Sequence, residues 1–126
     1  IDAARRELAE EVDLAADRWR VLVDIDLSPG FTDEALRLYL ADGLHVLAAA
    51  ERVDEEADMA VEWLPIGDAV SRVFTGDIVN ATSVAGILAA AAALAGTVEL
   101  PDIELRDVEA PWTDRPTALA DRKHAR

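Results

Sequence analysis

Three observations predict an α/β fold for this chain. Apolar residues recur at helical spacing near the amino terminus, then at every second position, then at helical spacing again. Proline and glycine fall between these stretches, where turns are needed. With 126 residues and 52% apolar content, the chain is long and apolar enough for a core of its own. The periodic part covers 1–96, and 97–126 reads as a polar, proline-punctuated tail.

The first helix is carried by Ile1, Ala4, Leu8 and Val12, which form a single apolar stripe. It should stop at Asp13, since Asp tolerates the left-handed conformation better than most residues and can replace a C′ glycine. From Trp19 to Leu27 the period becomes two. Trp19, Val21, Val23, Ile25 and Leu27 share one face, with Arg20, Asp24 and Asp26 on the other; Leu22 breaks the alternation. Ser28-Pro29-Gly30 makes a turn. Leu36, Leu38 and Leu40 then mark a second strand ending near Asp42-Gly43.

A long connection from His45 to Asp58 turns acidic through Glu51, Asp54, Glu55, Glu56 and Asp58. Connections of roughly this length are uncommon in compact domains and are often functional. A short strand is expected at Val61-Glu62-Trp63-Leu64, with Trp63 in the core, stopped by Pro65. Asp68 is placed to cap a short helix through Phe74 that stops at Gly76. Asp77 or Asn80 starts the last helix, which runs to Gly96, and its alanines at 89–93 permit close packing. His45 and His124 are isolated and expected at the surface, while Trp112 anchors the tail either to the body or to a partner.

A net charge of −14 argues against nucleic acid as a partner, because phosphates need basic surface. An acidic chain that handles a phosphate compound needs a metal between the two. Cysteine is absent, which excludes disulfides and thiolate metal sites. The longest apolar run, Val84 to Gly96, falls short of the roughly 20 residues a membrane span requires. No membrane partner is expected, no signal-peptide pattern is visible, and the cytoplasm is the expected location.

The feature that asks for an explanation is Arg6-Glu7-Leu8-Ala9-Glu10-Glu11. On a helix, residues three and four apart are neighbours, so Glu7 faces both Glu10 and Glu11, and such like-charge pairs destabilise. They also sit at the carboxyl end, where the helix dipole disfavours anions. One reading is a solvated face neutralised by Arg5 and Arg6; the other is a cation site.

Arg6-Glu7-Leu8-x-Glu10-Glu11-x-x-Leu14 resembles the second half of the Nudix box, R-E-U-x-E-E-x-G-U, where U is a bulky aliphatic. Asp13 replaces the terminal Gly, and the box's first Gly and first Glu would fall before residue 1. Further along, Pro29 lies where the ADP-ribose pyrophosphatase branch carries a marker proline. Glu55-Glu56-Ala57-Asp58-Met59 followed by Trp63-x-Pro65 is similar to that branch's catalytic loop and following strand. Gly76-Asp77-Ile78-Val79-Asn80 resembles the start of its last helix, and Trp112-Thr113-Asp114-Arg115-Pro116 its tail.

The resemblance implies a Nudix-type mixed β-sheet sandwiched between α-helices, with the amino-terminal part of the fold outside these residues. Residues 1–96 would be the carboxyl-terminal portion of such a domain. It implies a Mg²⁺-dependent pyrophosphohydrolase, with Mn²⁺ as the alternative ion. The substrate would be ADP-ribose or a related nucleoside diphosphate sugar, cleaved to AMP and a sugar phosphate. Glu7 and Glu11 would ligate the metal, with Glu10 assisting as a ligand or in orienting water. Glu56 would be the general base, with Glu55 as the nearby alternative. A homodimer is expected, as in most enzymes of the branch. The alternative is a truncated or inactive Nudix-like module that acts in binding or protein interaction.

Overall fold

A computed structural model of the chain describes residues 1–47, 61–96 and 103–112. In order, the elements are α1 (Asp2–Val12), β1 (Leu14–Asp26), β2 (Ala35–Val46), α2 (Ile66–Thr75) and α3 (Ala81–Ala95). The α/β class holds. Among the described residues the sheet is a two-stranded antiparallel pair rather than a mixed one.

α1 ends as its sequence requires. Asp13 takes the left-handed conformation, with φ 55° and ψ 38°, and its N–H donates to the Ala9 carbonyl. The chain then passes directly into β1, which starts at Leu14 rather than at Trp19. Residues 14–18 show no alternation, and pairing with β2 makes them a strand: Leu14 stands opposite Val46 and Ala16 opposite Leu44. β2 therefore runs past Asp42-Gly43, where the sequence suggested a stop. Gly43 continues the strand with φ 68°, and a Cβ there would lie 2.8 Å from an Asp17 carboxylate oxygen, so glycine is required.

The break at Leu22 is a β-bulge. Val21 pairs with Tyr39 but Val23 pairs with Leu38, so Leu22 has no opposite residue and the register slips by one. The slip places Val23, Ile25, Leu36 and Leu38 together, and Asp24 across from Arg37. The 27–34 connection closes with the Leu27 N–H donating to the Glu34 carbonyl at 3.2 Å and a turn from Ser28 to Phe31 at 2.8 Å.

Val61–Leu64, expected as a strand, forms none, and Trp63 is 68% exposed rather than in the core. Glu62 instead takes both guanidinium nitrogens of Arg72 at 2.7 and 2.8 Å, which ties this stretch to α2 and not to the sheet. The residue capping α2 is Pro65, not Asp68, which lies within the first turn. Gly76 ends the helix with φ 84°. Asp77 is occupied at that terminus: its N–H bonds the Arg72 carbonyl and its carboxylate accepts from Thr75. Asn80 is thereby left to cap α3, and its side chain accepts from the Ser83 N–H at 3.1 Å.

α3 approaches the sheet at Gly86, whose missing Cβ would sit 3.4 Å from Leu38. Leu14, Val21 and Ala69 are the buried apolar residues among those described, with Val21 at 1% exposure. Burying a side chain of that size contributes about 1.5–3 kcal/mol. Residues 103–112 return to the sheet, where Arg106 bridges Val21. Trp112 accordingly meets the body of the molecule, its ring 4.3 Å from the Arg37 guanidinium carbon.

Candidate functional site

Because the apolar stripe of α1 is half-buried, Glu7, Glu10 and Glu11 are left exposed on the helix's outer side. Arg6 lies between two of them, with Nη2 3.5 Å from Glu7 and Nε 3.8 Å from Glu10. Arg5 turns the other way and meets Asp2 at 3.6 Å. Glu11 forms no ion pair among the described residues. The helix thus presents three oxygen-donor side chains, and the ion pairs of Glu7 and Glu10 are long and solvent-exposed, so they contribute little to stability.

Among the described residues, no group of three or more His, Asp or Glu side chains converges to hold a metal. The donor chemistry suits an open, hydrated ion: Mg²⁺ prefers oxygen ligands and commonly takes one or two carboxylates, with waters and substrate phosphates filling the rest. Glu7 and Glu11, one turn apart and exposed, fit that requirement.

Glu55 and Glu56 lie outside the described residues. Leu47 donates its N–H to the Asp13 carbonyl at 2.8 Å, so β2 ends beside the carboxyl end of α1, where Glu10 and Glu11 are carried. His45 is exposed and 3.6 Å from Asp17.

A second charged cluster, on the sheet, was not singled out in the sequence. Asp24 accepts from Arg37 at 2.7 and 2.9 Å and from Arg106 at 3.0 Å. The paired Arg37 guanidinium holds the Asp24 carboxyl below the usual carboxylate range, against the opposing effect of burial, and Arg106 adds to it. The same hydrogen bond raises Arg37. Its signal was the one-residue slip at Leu22, which brings Asp24 and Arg37 opposite each other; nothing local pointed to Arg106. On the other side of the slip, Asp42 pairs with Arg18 and with Arg20.

Comparison with known proteins places these features in a family context. No protein-family model matches the chain. It is 47% identical over 123 residues to an ADP-ribose pyrophosphatase of Mycobacterium tuberculosis, covering 98% of this chain and 57% of that protein. It is 32% identical over 78 residues to an ADP-ribose pyrophosphatase of Bacillus subtilis, covering 62% of this chain and 42% of that protein. A methanol dehydrogenase activator of Bacillus methanolicus is 33% identical over 70 residues, with 56% and 38% covered. The chain spans about half the length of the curated relatives it matches. It is a relative of the Nudix hydrolases. Within them it is related to the ADP-ribose pyrophosphatases, as the half-box at Arg6–Leu14 leads one to expect.

Proposed function

We propose that the intact protein is a divalent-metal-dependent pyrophosphohydrolase acting on ADP-ribose or a related nucleoside diphosphate sugar. The products would be AMP and a sugar phosphate. The observation that carries this reading is the exposed carboxylate face of α1, in a chain 47% identical to a protein named ADP-ribose pyrophosphatase.

Glu7 and Glu11 would hold Mg²⁺ or Mn²⁺, with Glu10 as the third oxygen donor on the same helix. When bound, the ion neutralises diphosphate oxygens and so lowers the cost of adding negative charge at phosphorus. Arg6, within reach of both Glu7 and Glu10, limits the rotamers these carboxylates explore. Glu56 accepts the proton of the attacking water. A new oxygen–phosphorus bond forms as the bond to the bridging oxygen breaks, and that oxygen leaves with the other phosphate.

The position of Leu47 beside Asp13 supports this role for Glu56. Glu56 follows Leu47 by nine residues, a separation that extended chain can span up to roughly 30 Å. The resemblance suggests a homodimer, and a cytoplasmic location is proposed with it. No helix among the described residues is long and apolar enough to cross a membrane.

The second reading is a truncated or inactive Nudix-like module that acts in binding or protein interaction. ADP-ribose hydrolysis by the intact protein with Mg²⁺, compared with Glu56→Gln, separates them. Turnover that falls at least a hundredfold in the variant supports the first reading. Equal turnover removes Glu56 as the base, and ADP-ribose binding without turnover in the parent establishes the second.

A further inference from the structure

The segment 103–112 lies along the edge of β1 that faces away from β2, and its attachment there is uneven. Among the described residues, one backbone hydrogen bond reaches it from the sheet, donated by the Val21 N–H to the Arg106 carbonyl at 2.9 Å. The other polar ties to the sheet meet at Asp24 and Arg37. Arg37 donates Nε and Nη2 to Asp24, Nη1 to the Ala110 carbonyl at 2.6 Å, and Nη2 to the Pro111 carbonyl at 3.3 Å. The Trp112 ring covers that guanidinium at 4.3 Å, and the Arg37 side chain is only 6% exposed. Arg106 completes the arrangement by reaching the same Asp24 carboxylate.

We propose that Asp24, Arg37, Arg106 and Trp112 form a latch that fastens 103–112 over the outer edge of β1. Opened, the latch uncovers that strand edge at Val21. A single backbone bond is marginal against the entropy of ordering a ten-residue segment. The side chains therefore decide whether the segment is docked. Arg37 suits this task because its planar fork binds a carboxylate with two nitrogens while other N–H groups reach carbonyls. The ties of Ala110, Pro111 and Trp112 share the Arg37 guanidinium, and Arg106 meets the same Asp24 carboxylate, so losing the Asp24–Arg37 pair weakens both ends of the segment's attachment. An opened edge presents unpaired backbone groups at β1, the situation that strand edges in proteins are built to avoid.

Hydrogen exchange at single amides tests the latch in the whole chain. The Val21 amide reports docking, and the Val84 amide, bonded to the carbonyl of the α3-capping Asn80, reports that part of the fold away from the segment. In Asp24→Asn the Val21 amide is expected to exchange at least tenfold faster, with Val84 unchanged. Trp112→Ala leaves the ion pair in place and is expected to accelerate Val21 by a smaller factor, and it is the deciding variant should Asp24→Asn unfold the chain. Unchanged Val21 exchange in Trp112→Ala overturns the proposal, as does acceleration of Val21 and Val84 by the same factor in that variant.

Discussion

Two charged regions of the molecule are handled in opposite ways. On the sheet, Asp24 and Arg37 sit across from one another with bonds of 2.7 and 2.9 Å, and the Arg37 side chain is 6% exposed. On α1, Glu7 and Glu10 are more than half exposed and meet Arg6 only at 3.5 and 3.8 Å, while Glu11 meets no cation among the described residues. Charges that hold the fold are saturated by fixed partners. Charges left loose on a helix end, where the dipole and their neighbours both disfavour them, are available to a ligand that brings its own positive charge.

The contrast is broken most directly at the sheet. Arg37→Met should cost about 3 kcal/mol, the low end for removing one partner of a buried pair because Asp24 keeps Arg106 and is partly exposed. Urea unfolding monitored by circular dichroism measures this, and a loss below about 1 kcal/mol would show that the pair is not structural. Next comes pH. The Asp24 carboxyl is held below its ordinary range, so its contribution is complete above that range and is lost as pH falls through the folded-state value. Asp24→Asn should therefore flatten the fall in stability on acidification below about pH 4. A smaller gain is expected from Asp13→Gly. It relieves a left-handed non-glycine residue and should raise stability by about 1 kcal/mol, seen as a higher melting temperature. Smallest is Arg6→Ala, which should change stability by no more than about 0.5 kcal/mol, since its ion pairs are exposed.

Much of the fold was legible from local rules. Asp13, Gly76 and Asn80 each stood where helix-end chemistry requires such a residue, and each serves there. The disruption at Leu22 was visible as a break in alternation; that it was a bulge became apparent only with the register of β2. What failed needed information from distant residues. β1 extends back to Leu14 because β2 supplies partners up to Val46, and no pattern in 14–18 announces this. Val61–Leu64 has strand-forming residues but no pairing partner among the described residues, and Trp63 is exposed. The latch joins Asp24, Arg37 and Arg106, and no spacing rule relates positions that far apart. The glutamate cluster was legible as a motif, and the structure adds that its face is open and that β2 ends beside it.

The central claim is that this open face holds a divalent cation. Titration of Mn²⁺ into the intact protein, followed by electron paramagnetic resonance and compared with a Glu7→Gln, Glu11→Gln double variant, tests it most directly. The account predicts a loss of at least tenfold in Mn²⁺ affinity, about 1.4 kcal/mol, with the circular dichroism of the variant unchanged. Equal affinity in the two proteins would contradict it.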